Sequence, residues 1–320
     1  MKRITIKDLA EMLNISTSTV SRALKDHPDI SSAVKQKVKE AAETFNYVPN
    51  DFAINFRKKS SKVIGLIIPE ISMFFIPSII KGISSVLHKE GYHFFMLSSE
   101  ESYQIEEENL LTCINSRVDG IIISLTRNTH DLNHLDKIKA MGIPAVIFDK
   151  TLPQKEYDEV IFDNAKNMVM AADQLAAADC RKVLAVFGDE NLEMTQVRKD
   201  FFLKEISRFP DIKYKLVYCN SADTVKDKLD ILLDYEDFDG FFAMSDETLA
   251  GLHSMLIKKN IRGNSVKVVA ISEGTLPKYL DLSYECLIND GFKMGMTAAI
   301  RLLHLIRSQN MAQAAQTFYI

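Results

Sequence analysis

The chain has 320 residues, of which 47% are hydrophobic and 26% charged, with a formal net charge of −4 at pH 7. That is long enough for two or three domains with substantial cores, and too apolar for a disordered protein. No apolar run reaches the roughly 18 residues that span a bilayer, and the N-terminus is already patterned for another purpose, so neither a membrane nor a secretory leader is expected and the location expected is cytoplasmic.

The first predicted elements are two short helices around a tight turn. Thr5 is a natural N-cap with Asp8 three positions on, and Ile6, Leu9, Ala10 and Leu13 give the first helix an apolar stripe. Asn14 sits at the turn, where asparagine tolerates the left-handed conformation, and Ile15 anchors it. Ser16 caps a second helix whose Val20 and Leu24 face inward, leaving Thr17, Ser18, Ser21 and Arg22 outside. Short hydroxyls permit close approach to phosphates and base edges, and a guanidinium can bind guanine O6 and N7 together, so this surface suits the DNA major groove. The charge supports it. Residues 1 to 60 carry 11 Lys and Arg against 7 Asp and Glu, leaving 28 against 36 in the remainder. A basic head precedes an acidic body.

Beyond Lys62 the pattern becomes apolar strand runs: KVIGLIIP, HFFMLSS, DGIIIS and PAVIFD, with helices near 75 to 90, 104 to 116 and 131 to 141. KVLAVFG, KLVYC, DGFFAMS and VKVVAIS repeat the arrangement, with helices near 165 to 178, 194 to 208, 223 to 234 and 246 to 260. Continuous apolar strands imply parallel sheets covered on both faces, so an α/β body of two doubly wound lobes facing a cleft is expected.

Enzymatic and metal signatures are missing. The twelve glycines form no GxGxxG, Walker loop or GxSxG elbow. Cys113, Cys180, Cys219 and Cys286 are scattered without a CxxC pair, reading as reduced thiols rather than a zinc site. His130 and His134 share i,i+4 spacing but have no further ligands, and read as a solvated loop or helix face. The EEE run at 106 to 108 reads as a solvated helix start, where negative charge suits the dipole. No cofactor is expected.

TIKDLAEMLNISTSTVSRAL followed by NYVPNDFAINFR resembles the N-terminal module of the lactose-repressor/galactose-repressor (LacI/GalR) transcription regulators. The similarity continues through VIGLIIPEIS, SRVDGIIIS, FAMSDETLAG and GFKMG, over nearly the whole chain. It implies a helix-turn-helix domain at 1–49, a hinge and linker at 50–61, and a periplasmic-binding-protein-like domain at 62–320. Lobe 1 would take about 62–160 and 290–320, and lobe 2 about 161–289. By this resemblance Thr17, Ser18 and Arg22 read bases, while Thr5, Ser16, Thr19, Ser21, Ser31 and Asn50 position phosphates. Asp29 would approach the bases too, but an acid there is repelled unless it accepts from a cytosine amino group, so no base contact is assigned to it. Ala53 and Phe56 would enter the minor groove from a hinge helix that orders on operator; packing of Phe52 and Phe56 is the competing role.

Ligands of open α/β lobes gather beyond the carboxyl ends of strands. Asp149, Asp246 and Glu273 end or follow strand patterns there, Arg198 lies in the helix after KVLAVFG, and Asn289 lies near the last lobe crossing. Each acid has a helix cap as its plainer role. The resemblance matches Arg198 and Asp246 to the family's effector-binding residues, and Asp149 less closely. Phe75 and Phe162 are candidate platforms for a sugar ring, or core. Ile54, Phe56, Met73, Phe74, Lys150, Phe201 and Glu273 depart from the family pattern and leave the effector's identity open. Three acids against one base favour a neutral, hydroxyl-rich effector such as a sugar. The reading is a DNA-binding transcription regulator, a repressor acting as a homodimer on a pseudo-palindromic duplex, with no heptad tail for a tetramer. The alternative is a small-molecule sensor whose N-terminal helices dock a protein partner.

Overall fold

The structure, a computed structural model, describes residues 4–47, 60–71, 74–261, 265–280, 284–308 and 314–320. Its contacts cluster into two compact units, Met1–Ser61 and Lys62–Ile320. The first holds α1 (Ile6–Met12), α2 (Thr17–Leu24) and α3 (Ser32–Thr44). Each begins at a hydroxyl cap. The Thr5 side chain accepts from the Asp8 amide while the Asp8 carboxylate accepts from the Thr5 amide, closing a capping box. Ser16 accepts from Thr19 and Ser31 from Val34. Asn14 turns the chain between α1 and α2 with φ 52°. Leu9, Ala10, Val20, Ala23, Val38 and Ala42 form the core of this unit.

The second unit is built on two parallel sheets. β1 (Val63–Ile68), α4 (Ile76–Lys89), β2 (His93–Ser98), α5 (Tyr103–Asn115), β3 (Gly120–Ile123), α6 (Asp136–Ala140), β4 (Ala145–Phe148) and β5 (Asp158–Ile161) make the first lobe. α7 (Asn164–Ala177), β6 (Lys182–Phe187), α8 (Glu193–Ile206), β7 (Lys213–Tyr218), α9 (Ala222–Tyr235), β8 (Gly240–Ala243), α10 (Asp246–Lys258), β9 (Lys267–Ser272) and β10 (Glu285–Ile288) make the second. The chain then returns through α11 (Gly291–Ser308), and β11 (Thr317–Tyr319) pairs with β5 at the first lobe's edge. The strand orders are β11-β5-β4-β3-β1-β2 and β10-β9-β8-β6-β7.

Both faces of each sheet are covered, which is why central strands such as β1, β3, β4 and β8 read as unbroken apolar runs. Ile64, Leu66 and Ile68 join the core with α4 and α11, while Ile67 of the same strand packs with Leu110, Cys113 and Ile138 on the other face. Val183, Ala185 and Phe187 pack with Met168 of α7 and Phe202 of α8, and Leu184 and Val186 with Leu229 and Leu252. Among the described residues no helix is long and apolar enough to cross a membrane.

Two sequence expectations are corrected. Glu106, read as part of a solvated acidic face, is fully buried. It shares the inward stripe of α5 with Asn109, Leu110 and Cys113, and three donors meet it: the Thr126 amide at 2.7 Å, the Thr129 hydroxyl at 2.9 Å and His134 Nε2 at 2.8 Å. A carboxylate tolerates burial when so many hydrogen bonds replace water. His134, read as solvated, is therefore buried as its partner, whereas His130 is exposed. β5, β10 and β11 were not expected as strands.

α4 and α11 approach each other closely at their glycines. A Cβ on Gly295 would lie 2.1 Å from the Ile79 carbonyl oxygen, and one on Gly82 would lie 2.2 Å from that of Phe292. Alanine gains about 0.5–1 kcal/mol over glycine within a helix, but here the neighbour is rigid backbone and the helices must part. Gly295→Ala or Gly82→Ala is therefore expected to destabilise the second unit by about 1–3 kcal/mol. Urea unfolding checks this, and a neutral or stabilising result would show the two helices free to separate.

Candidate functional site

At the point in each sheet where strand order reverses, between β1 and β3 and between β6 and β8, the loops diverge and leave a crevice. The two crevices face each other across a cavity of about 390 Å³. Phe75, Asp149, Phe162, Arg198, Asp246, Glu273 and Asn289 all line it.

Asp149 follows β4 in a left-handed conformation, φ 63°, uncommon for a residue other than glycine. It is 8% exposed, and burial holds its carboxyl above the ordinary range, with Lys150 and Arg198 opposing. Arg198, on α8, is also buried: its Nε donates to Asn164 Oδ1 at 2.8 Å and its Nη1 to the Met244 carbonyl at 3.1 Å. Burial lowers its pKa, while Asp149 and Glu247 hold it up. Two neutral acceptors thus fix the guanidinium, and its nearest acids, Asp149 and Glu247, act through space.

Asp246 opens α10 after the cap Ser245. Its carboxylate accepts from the Ser272 hydroxyl and, at 2.9 Å, from the Glu273 amide, so it also holds the loop after β9. Burial raises its carboxyl, and those hydrogen bonds offset part of the shift. Glu273 itself reaches the other lobe, accepting from the Ser78 hydroxyl at 2.6 Å. Asn289 accepts from Asn167 Nδ2 at 2.8 Å.

Several lining groups were missed from sequence. Glu101 accepts from Lys150 Nζ at 2.7 Å and from the Arg127 amide at 2.7 Å. Arg127 Nη1 approaches Asp189 of the second lobe at 3.7 Å, and the Phe74 amide donates to Glu247 at 3.4 Å. With Ser78 to Glu273, these are three lobe-to-lobe contacts. Their signal in sequence is weak, because Ser78 and Glu273 are 195 positions apart.

On the first unit, Thr17, Ser18 and Arg22 are exposed on α2, and among the described residues Arg22 has no ion-pair partner. Ser18 shares a 2.7 Å hydrogen bond with Ser16, and Thr19 one of 2.8 Å with the same hydroxyl. Ser21 is half-buried. Thr5, Ser16 and Ser31 are the caps of α1, α2 and α3, at helix ends whose amides and dipoles favour anions. Asn50, Ala53 and Phe56 lie outside the described residues.

Residues 5–50 match the family model described as bacterial regulatory proteins of the lacI family, and residues 64–282 match the periplasmic binding protein domain. The chain is 31% identical over 249 residues to the sucrose operon repressor of Lactococcus lactis subsp. lactis, covering 77% of this chain and 76% of that protein. It is 27% identical to the ribose operon repressor of Bacillus subtilis (strain 168), over 97% of this chain and 94% of the relative. The fold is similar to that of a lac repressor dimer bound to operator and an anti-inducer, with TM-score 0.86 at 20% identity over 99% of this chain and 97% of the other.

The buried acid in the cleft has a consequence for stability. A carboxyl whose folded pKa is raised contributes stability below its unfolded value, about 3.9, and loses it as pH rises through the folded value. Asp149→Asn removes that loss. Its melting temperature is expected to exceed that of the parent at pH 7, with the gap closing as pH falls toward 4. A gap of constant size from pH 4 to 8 would mean that burial of charge is not the cause.

Proposed function

Since the chain belongs to the LacI family of bacterial regulatory proteins, we propose that its head reads an operator through α2 while a neutral, hydroxyl-rich effector in the cleft sets the affinity of the head for DNA. It is a DNA-binding transcription regulator with a small-molecule effector, and not an enzyme. Its relatives are named as operon repressors, and repression is the direction we assign. A single head buries little surface, so two copies on a pseudo-palindromic duplex supply the affinity and the half-site spacing.

The observation that carries the effector class is the charge of the cleft. Seven carboxylates line it, Glu70, Glu101, Asp149, Asp189, Asp246, Glu247 and Glu273, against Arg127, Lys150 and Arg198. Arg127 and Lys150 already face Glu101, leaving Arg198 as the buried donor at the centre. A phosphorylated ligand meets net repulsion there, whereas carboxylates accept from adjacent hydroxyls and Arg198 donates to sugar oxygens. Phe75, half-buried at the edge of the first lobe's core, offers apolar surface for the C–H face of a ring, whereas Phe162 is 4% exposed and serves chiefly as core. An effector hydroxyl that replaces Ser78 at Glu273 exchanges a lobe-to-lobe bond for a ligand bond, which couples occupancy to the lobe angle.

Two measurements test the reading on an operator selected from a random duplex pool. Arg22→Ala is expected to cost about 1–3 kcal/mol on that operator and far less on random duplex, because only the specific complex uses bidentate base contact. Equal losses on both would reduce Arg22 to a phosphate contact. Arg198→Ala and Asp246→Asn are expected to abolish the effector's influence on operator binding while leaving effector-free operator affinity within about twofold, a few tenths of a kcal/mol. An undiminished response in both variants, or a sugar phosphate recovered from the cleft, would overturn the assignment.

A further inference from the structure

Two donors of the cleft, Arg198 and Asn289, are held from behind its wall. The residues that hold them, Asn164 and Asn167, stand in the first turn of α7 and do not line the cavity. Their i,i+3 spacing puts both on one face of the helix. Asn164 is buried, and its amide lies across one turn of α8: Oδ1 accepts from Arg198 Nε at 2.8 Å while Nδ2 donates to Met194 Sδ at 3.2 Å. A guanidinium only donates and a thioether only accepts, so these two partners admit a single orientation of the amide. Asn167 Nδ2 donates to Asn289 Oδ1 at 2.8 Å. The Met244 carbonyl takes Arg198 Nη1 at 3.1 Å. Among the described residues this leaves Arg198 Nη2 and Asn289 Nδ2 without a hydrogen-bond partner, and both residues line the cavity.

We infer that Asn164 and Asn167 are positioning residues for effector recognition: Asn164 sets the plane of the Arg198 guanidinium, and Asn167 turns the Asn289 amide so that its N–H side serves the cavity. The inference rests on the reading of the cleft as a sugar site. The carboxylates of the lining supply acceptors in excess, so a hydroxylated molecule also needs donors for its ring and hydroxyl oxygens. Arg198 and Asn289 supply them, and each is a side chain that could present the wrong edge. An asparagine amide that rotates by half a turn offers an acceptor where a donor is wanted, and a guanidinium free to swing has to be ordered at every binding event, which lowers affinity. With Asn164 and Asn167 in place that order is imposed when the lobe folds. Asn164 orients Arg198 without adding a further acid to the wall, because its amide oxygen is a neutral acceptor.

The first measurement needs no ligand. In NMR spectra of the full chain carrying isotope-labelled arginine, the Arg198 Nε–H signal, identified by its absence in Arg198→Lys, is expected to exchange slowly with water. Asn164→Leu, similar in size but without an acceptor, is expected to speed that exchange about tenfold or more, and Asn164→Asp, which keeps an accepting oxygen, to leave it within about threefold of the parent. The second measurement is isothermal titration with ribose, glucose, fructose and sucrose. For each sugar that the parent binds, Asn164→Leu is expected to weaken binding about tenfold and Asn164→Asp to restore most of that loss. Asn167→Asp is expected to weaken binding about tenfold as well, because its carboxylate accepts from Asn289 Nδ2 and turns Oδ1 toward the cavity. An acid in the first turn of a helix suits the dipole, so that loss does not come from the fold. Melting curves identify a variant that fails to fold, and Asn164→Ala then takes the place of Asn164→Leu. Unchanged exchange in Asn164→Leu overturns the role of Asn164, and parent affinity in Asn164→Leu or Asn167→Asp overturns the role of the residue replaced; each leaves the sugar reading standing. If no sugar of the panel binds the parent, the sugar reading falls, and the exchange rates alone decide whether Asn164 holds Arg198.

Discussion

Parallel pairing gives each sheet one polar end, and the rest of the body follows from that constraint. Helices cover both faces of both sheets, so a charged side chain in the middle of a central strand such as β1, β3, β4 or β8 has no water to face. The polar groups of the chain are pushed to the loops beyond the strands, and parallel strands deliver all their carboxyl ends to the same side. Asp149 after β4, Asp189 after β6, Asp246 after β8 and Glu273 after β9 are successive products of this geometry. Two such ends facing each other concentrate the acids around one cavity. The burial that raises Asp149 and Asp246 and lowers Arg198 is the cost of that concentration.

Legibility in the sequence tracked the sequence separation of contacts. The head was readable because its determinants are local: Thr5 with Asp8, Ser16 with Thr19 and Ser31 with Val34 are pairs three residues apart. The long central strands were readable from their apolar runs. The short ones were not, since β5 carries Asp158 and Glu159, β10 begins at an acid, and β11 has three residues. These polar strand residues are satisfied by distant partners, as when the Gln316 amide donates to Asp158 at 2.8 Å. Glu106 shows the same failure from the other direction. Within its EEE run nothing separates it from Glu107 and Glu108, yet Thr126, Thr129 and His134 arrive from 20 to 28 positions away to satisfy it.

The cleft was partly legible for the same reason. Strand-end acids can be found from the strands that precede them, so Asp149, Asp246 and Glu273 were named from their positions. Glu101, Arg127 and Ser78 were not, because each acquires its place from the packing of another element: Glu101 from Lys150 and the loop after β3, Ser78 from a residue in the opposite lobe. Arg198 was named from its place on the helix after KVLAVFG, and the resemblance to a known family gave that position its effector-binding role.

The return of α11 and β11 to the first lobe also sets the order in which the body is completed as it is synthesised. The second lobe is one continuous stretch from α7 to β10, and its contacts close within about two-fifths of the chain. The first lobe is interrupted by it. Until Gly291–Ser308 leaves the ribosome, Ile64, Leu66, Ile79 and Ile83 have no Met294, Ala298 or Leu302 to pack against, and β5 has no outer neighbour. Contacts across so many residues are slow to form, and an uncovered parallel sheet is a surface on which chains associate. The lobe made first is thus the lobe finished last, and the nascent protein spends its most aggregation-prone interval with an otherwise complete second lobe attached.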